Sequence, residues 1–269
     1  MWLIRFAEFT LKSERTRKRF EDALFSNLRT ALDGLDVVIK RDWGRMYVYG
    51  KDEKRAEKIL KRVFGISSFS YCLKTENDMN SMLKTISGLL VGCKTFALRV
   101  RRAIKTGPTS LEIEKELGKM VKEKMDIAVD LESPERVVWV EIRDDGVYIY
   151  TDKIKGVGGF PIGVQGMVGI LIRNKHDMLA GWLMMRKGCR PFPMYIKMKS
   201  FGQKFFSKWA FYEPECAIFK KIDDAMEFAK RYNIAVAVGD RKLRRYPIHV
   251  FRPLFAIDIN RFYRLAGLI

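Results

Sequence analysis

The feature that most constrains this chain is an apolar strand pattern over residues 168–172 that passes through a short polar turn into an apolar-faced helix over 178–187. Strand, loop and helix in that order are how an α/β domain offers backbone N–H groups and a helix N-terminus to a phosphate. Such a turn favours glycine, because the backbone must reach conformations that a Cβ penalises and its N–H groups must approach the anion unobstructed. The turn here, Ile172-Arg173-Asn174-Lys175-His176-Asp177, contains none. The layout is that of a nucleotide-binding domain whose central chemistry is missing. From about Gly166 onward strand and helix patterns alternate, which predicts a parallel sheet.

Two smaller units precede it. Residues 2–6 read as a strand, and a helix over about 12–32 has Phe20, Leu24, Leu28 and Leu32 spaced four apart. A strand at 37–39, a turn at Trp43-Gly44-Arg45, a strand at 46–49, a helix over about 53–63 and a last strand near 67–73 complete a ferredoxin-like order. The second unit reads as a helix over 78–91, a strand over 95–102, a helix from Leu111 capped by Thr109 or Ser110, and strands over 137–142 and 146–150. Gly156, Gly158, Gly159 and Gly163 mark a linker or a loop over the next domain. The expected domains are 1–66, 67–165 and 166–269 in an α/β and α+β multidomain chain.

Net charge is +19 over 269 residues, and its distribution matters. Residues 1–66 carry 16 basic and 10 acidic side chains, 67–165 carry 15 and 14, and 166–269 carry 20 and 8. An excess at both ends fits a polyanion lying across more than one domain. A basic, merely solvated surface is the competing reading, but acidic residues would then keep pace. No window approaches the roughly 18 apolar residues of a membrane span, and the opening residues lack a signal-peptide pattern, so the expected compartment is the cytoplasm. Cys72, Cys93, Cys189 and Cys216 form no CxxC pair or metal-ligand spacing, so no metal site is expected.

The segment Arg5-Phe6-Ala7-Glu8-Phe9-Thr10-Leu11-Lys12, with Arg19-Phe20-Glu21 and Asn27-Leu28, resembles the opening of the tRNA 4-thiouridine synthetases, the ThiI-type sulfurtransferases. Arg62-Val63-Phe64-Gly65-Ile66 is similar to their junction with a THUMP domain. Phe96-Ala97-Leu98-Arg99-Val100-Arg101-Arg102, Pro108-Thr109-Ser110-Leu111-Glu112-Ile113 and Glu116-Leu117-Gly118 are similar to the THUMP motif itself. Gly158-Gly159-Phe160-Pro161-Ile162-Gly163 and Phe251-Arg252-Pro253-Leu254-Phe255-Ala256-Ile257-Asp258 continue the likeness, which covers nearly the whole chain in order. The resemblance implies a ferredoxin-like module, an α/β THUMP domain and a shortened, Rossmann-like PP-loop domain of the adenine-nucleotide alpha-hydrolase type. It implies tRNA as partner, gripped at the acceptor stem and 3′ end, and ATP as the family's cofactor, used to adenylate a uridine before sulfur replaces oxygen.

The family's ATP loop reads Ser-Gly-Gly-x-Asp-Ser. Aligning Ala180-Gly181-Trp182 with the family helix sets Ile172, Arg173, Asn174, Lys175, His176 and Asp177 on that loop, and none fits. After Val238-Gly239-Asp240 the family's helix with a Gln-Val-Ala-Ser-Gln-like run is replaced by a short basic stretch, Arg241, Lys242, Arg244 and Arg245. No cysteine matches the family's sulfur-handling one. These departures argue against ATP binding and against a catalytic residue in this chain, leaving a tRNA-binding protein as the first expectation. Thiolation with a partner subunit, and an oligomeric scaffold with incidental charge, are the alternatives.

Candidate partners beyond tRNA are a sulfur carrier, an active modification enzyme and a second copy of the chain, with no membrane. Lys175, His176 and Asp177 offer a cation, a base and a carboxylate, but neighbours on a turn point in different directions. His249 reads as a surface or structural residue. Lys12, Arg15, Arg17, Lys18, Arg19, Arg99, Arg101, Arg102 and Lys105 are the candidate RNA-binding residues, with Arg99 and Arg101 on one strand face and Arg102 on the other. Aromatic residues between 201 and 212 either stack on bases or pack on the sheet.

Overall fold

The computed structural model describes residues 1–6, 13–42, 44–104, 107–197, 202–255 and 257–269. The first unit runs β1 (Trp2–Phe6), α1 (Glu14–Ala31), β2 (Val37–Asp42), β3 (Arg45–Gly50), α2 (Glu53–Leu60) and β4 (Ile66–Tyr71). Helix α1 forms because Phe20, Leu24, Leu28 and Ala31 recur at helical spacing and all bury against the sheet. The first sheet extends past residue 66, the boundary expected from the sequence, to Tyr71. Strand β4 pairs antiparallel with β1, and Ile66 and Phe69 lie fully inside this core.

The second unit runs β5 (Leu73–Thr75), α3 (Met79–Leu89), β6 (Thr95–Arg102), α4 (Ser110–Met125), β7 (Ala128–Val129), β8 (Arg136–Arg143) and β9 (Gly146–Tyr150), with strand order β5-β9-β8-β6-β7. A capping box starts α4: the Thr109 hydroxyl accepts from the Glu112 N–H at 3.2 Å, and the Glu112 carboxylate accepts from the Thr109 N–H at 2.6 Å. Leu98, Val100, Val138, Val140, Val147 and Ile149 face α3 and α4 in one core. Strand alternation therefore turns Arg99, Arg101, Trp139, Glu141, Arg143, Tyr148 and Tyr150 to the opposite face. The chain then returns to the first sheet as β10 (Ile154–Lys155), giving that sheet the order β10-β4-β1-β3-β2.

The third unit runs β11 (Met167–Ile172), α5 (Lys175–Arg186), β12 (Arg190–Ile196), α6 (Gln203–Ala210), β13 (Ala217–Phe219), α7 (Ile222–Arg231), β14 (Val236–Ala237), β15 (Val250–Phe251) and α8 (Ile259–Ala266). Its sheet is parallel throughout, in the order β13-β12-β11-β14-β15. Leu179, Trp182 and Met185 are buried and Leu183 and Met184 are half-buried, so the apolar stripe of α5 is core. Trp182 meets Phe64 of the first unit, Trp209 of α6 and Phe262 of α8 edge-on or tilted, with centroids 5.4–6.3 Å away. Among the described residues no helix is long and apolar enough to cross a membrane.

The linker between the second and third units is bolted down rather than loose. Phe160 N–H donates to the Arg186 carbonyl at 2.9 Å, Gly163 N–H to Gly188 at 2.8 Å, and Asn27 of α1 to the Ile162 carbonyl at 3.2 Å. Gly159 has φ +76°, and a Cβ there would overlap the Arg186 carbonyl.

The first two units meet through charge. Arg143, 6% exposed, donates to Glu141 at 3.0 Å and to Asp42 at 2.9 Å, while Arg45 reaches Glu141 at 2.9 Å. Beside them the rings of Tyr47 and Tyr148 stack at 4.8 Å. Asp145 takes Lys40 at 2.7 Å and the Tyr148 hydroxyl at 2.8 Å. Burial alone would raise the Asp145 pKa, but the Lys40 and Tyr148 hydrogen bonds, with the Lys74 charge, hold it down at about 2.

Two outcomes follow at this seam. Glu141→Ala leaves Arg45 and Arg143 facing each other in a buried site, so urea denaturation should show a loss of about 3 kcal/mol. Because the folded pKa of Asp145 lies below its unfolded value, its stabilisation is present above about pH 4 and lost as pH falls toward about 2. In Lys40→Gln that acid limb should move to higher pH, as followed by tyrosine fluorescence.

Candidate nucleic-acid interface and the strand-to-helix loop

Strand β11 ends at Ile172 and α5 starts at Lys175, so only Arg173 and Asn174 connect them. The helix starts a turn earlier than the apolar pattern indicated, because Asn174 is its N-cap: Oδ1 accepts from His176 N–H at 2.8 Å and Asp177 N–H at 3.2 Å. Lys175, His176 and Asp177 therefore belong to the first helical turn. Lys175 is exposed, His176 packs edge-on against Tyr263 at 5.8 Å, and Asp177 points into the interior, so the three do not form a constellation.

At the helix N-terminus, where an α/β domain presents donors to an anion, the chain supplies its own. Asp177 is fully buried. One carboxylate oxygen accepts from Arg173 N–H at 2.9 Å and Nε at 3.0 Å; the other accepts from Arg173 Nη2 at 2.7 Å and Gly239 N–H at 2.7 Å. An acid in the first turn also suits the helix dipole. Arg173 reaches further, to Asp240 at 2.8 Å and the Tyr246 oxygen at 3.0 Å, and the Tyr246 hydroxyl donates to Asp240.

Burial works against the Arg173 charge, yet the Asp177 hydrogen bond and charge outweigh it and raise its pKa further. Burial, reinforced by Asp240, pushes the Tyr246 hydroxyl up to about 12. A Cβ on Gly239 would overlap the backbone of His176 and Asp177, so the strand end and the helix turn are in direct contact. Sequence reasoning missed Asp177, Asp240 and Tyr246 as one unit; the available signal was Arg173 four residues before an acid in a first helical turn.

Among the candidate RNA-binding residues, Lys12 and Lys105 lie outside the described residues. Arg15, Lys18 and Arg19 are exposed on α1, with the Arg19 guanidinium over the Phe20 ring, while Arg17 lies 3.8 Å from Glu21. On β6, Arg99 is tied back to the carbonyls of Leu98 at 2.9 Å and Leu131 at 3.1 Å. Arg102 donates to Gly107 and Pro108 and so braces the turn before α4. Arg101 instead lies beside the Trp139 ring, 5.8 Å from its centroid.

The basic stretch Arg241, Lys242, Arg244 and Arg245 is exposed next to the closed loop, as is His249. In α6, Phe206 and Trp209 are buried and serve the core, which decides the aromatic segment in favour of packing for those two rings. Cys72, Cys93 and Cys189 are buried and Cys216 is half-buried. Among the described residues no group of three or more His, Cys, Asp and Glu side chains is placed to hold a metal.

Residues 1–70 match the ThiI ferredoxin-like domain and residues 74–152 the THUMP domain. A curated "Probable tRNA sulfurtransferase" of Methanobrevibacter smithii is 34% identical over 197 residues, 70% of this chain and 51% of that one. Another, of Methanocaldococcus jannaschii, is 37% identical over 211 residues, 73% and 55% of the two chains. The crystal structure of PH1313 from Pyrococcus horikoshii Ot3 superimposes with a TM-score of 0.82 at 26% identity, covering 99% of this chain and 98% of that one. A 4-thiouridine synthetase crystallised with RNA and ATP shares the fold, with a TM-score of 0.77 at 22% identity and coverage of 99% and 84%. The chain belongs to the ThiI-type tRNA sulfurtransferase family, and it spans about half the length of the curated relatives it matches.

Removing the internal anion has a defined cost. Asp177→Ala takes the buried acceptor from the Arg173 Nε and backbone N–H and from the Gly239 N–H and leaves Arg173 only Asp240 and Tyr246, and chemical denaturation should show a loss of about 3 kcal/mol. A loss below about 1 kcal/mol contradicts the network's role.

Proposed function

We propose that this chain is a cytoplasmic tRNA-binding protein that engages the acceptor stem and 3′ end through its ferredoxin-like and THUMP domains and has no autonomous sulfurtransferase activity. The observation that carries the second half is the Asp177 carboxylate, buried at the N-terminus of α5 and held by Arg173 and the Gly239 N–H. An ATP phosphate in the same place would meet a like charge and would have to displace all of these bonds. The replacement of the family's Ser-Gly-Gly-x-Asp-Ser by Ile172-Arg173-Asn174-Lys175-His176-Asp177 supports the same reading.

The net charge of +19 and the exposed Arg15, Lys18 and Arg19 on α1 support the RNA-binding half. A-form RNA is read through its phosphates, 2′-hydroxyls and shape, which suits a rigid two-domain surface. In this reading the protein holds tRNA for a separate modification enzyme or sulfur carrier.

The test is a titration of labelled tRNA and an acceptor-stem minihelix over a salt series, with and without ATP and Mg²⁺. Both RNAs should bind with a log-affinity slope of about −0.9 per phosphate contact, indifferent to ATP, and no AMP should form. AMP released in a tRNA-dependent manner, with or without a partner subunit, overturns the non-enzymatic half; absence of RNA binding overturns the other.

A further inference from the structure

We propose that Arg5, Arg101 and Lys153, set around the parallel rings of Trp139 and Tyr150, form a seat for a phosphate of the RNA backbone at the seam between the first two domains. This rests on the reading of the chain as RNA-binding and adds a location that neither the basic helix α1 nor the strand-to-helix loop provides.

The framework is the face of the second sheet turned away from α3 and α4. Trp139 of β8 and Tyr150 of β9 are directly opposite in register, and their rings lie 6.4 Å apart with planes 8° from parallel. Three cations from three separate segments gather on this pair. The Lys153 ammonium stands 2.8 Å from the centroid of Trp139, and the Arg101 guanidinium stands 5.8 Å from the same centroid. The Arg5 guanidinium lies 4.6 Å over Tyr150. Arg101 and Lys153 are exposed and Trp139 is half-buried, while Tyr150 lies buried beneath them, so a macromolecule meets the two cations and the Trp139 side of the pair.

The charges are not balanced where they meet. The carboxylate charge that favours the Lys153 ammonium is that of Glu141, which is already engaged by Arg45 and Arg143. Arg5 donates through Nη1 to the Ser70 hydroxyl at 3.0 Å, while its Nη2 is buried with no hydrogen-bond partner. Burial first, then the positive charges of Arg5 and Arg101, push the Lys153 ammonium down to about 8. Bound phosphate offsets the mutual repulsion of the three cations, accepts from the exposed Arg101 and Lys153 while Arg5 acts through its charge alone, and raises the Lys153 pKa again.

The experiment uses the whole chain and a labelled acceptor-stem minihelix over a salt series. It compares wild type, the double variant Arg101→Gln/Lys153→Gln, and a control variant Lys119→Gln/Lys122→Gln on the exposed face of α4. Both variants change exposed side chains, and their melting temperatures confirm that they fold. The seat predicts that the double variant reduces the magnitude of the salt slope by about 1, the share of one lost phosphate contact, and weakens low-salt binding by about tenfold. The control should bind as wild type does. An unchanged slope in the double variant overturns the seat while leaving the RNA-binding reading intact. Equal slope losses in the double variant and the control also overturn it, since the effect is then diffuse charge. Failure of folded wild type to bind the minihelix removes both.

Discussion

The arrangement of the third domain depends on one buried carboxylate. A helix following a parallel strand carries unpaired N–H groups and a positive dipole end at its start, and that end is stabilised by negative charge. In this chain the charge is covalent. Once Asp177 occupies the position, Arg173 is fixed by three hydrogen bonds to it, and the remaining face of the guanidinium draws in Asp240 and Tyr246. The segment after β14 is thereby pulled across the mouth of the sheet, and Gly239 is required because its Cα approaches the helix backbone too closely for a side chain. The short connection, the glycine and the segment from 239 to 246 are parts of one closure. A domain closed this way holds its own anion and does not need a ligand to satisfy its helix.

The other two domain contacts have different physics. Trp182, Phe64, Trp209 and the pinned glycine linker join the first and third domains by apolar packing and backbone hydrogen bonds, which fix distance well. The first and second domains meet through Arg143, Glu141, Arg45 and Asp42, where burial costs the charges their hydration and the pairing returns part of it. Such a seam contributes orientation more than net stability, since only one register lets each arginine reach its carboxylate.

Much of this architecture was legible in the sequence. The strand over 95–102 and the helices of the first two domains have clean periodicity and caps such as Thr109 with Glu112, signals that are local and therefore readable. The start of α5 was misplaced because its first turn is polar: the apolar stripe begins at Met178, while the capping by Asn174 reaches back to Lys175. The last strand of the first unit, expected near 67–73, is β4 at Ile66–Tyr71, and its pairing with β1 carries the first sheet past residue 66. Helix α8, short and at the end of the chain, was not anticipated.

Site residues divided along the same line. That residues 172–177 contain no glycine is plain in the sequence, whereas the contacts of Arg173 and Asp177 with Gly239, Asp240 and Tyr246 are a tertiary fact with no periodic trace. Charge runs showed where cations are, not what they touch. Arg99 and Arg102 proved to be tied to carbonyls of their own domain, while Arg5, Trp139 and Lys153, far apart in sequence, come together only when β8, β9 and β1 are assembled.

The most direct test of the central claim is amide hydrogen exchange over residues 172–178 and 236–240, measured with and without saturating ATP and Mg²⁺. The closed loop predicts strong protection of the Gly239 and Asp177 amides in the free protein and no change on adding nucleotide. Rapid exchange in the free protein, or a nucleotide-dependent change confined to these two segments, contradicts it and shows an anion site that opens to ATP.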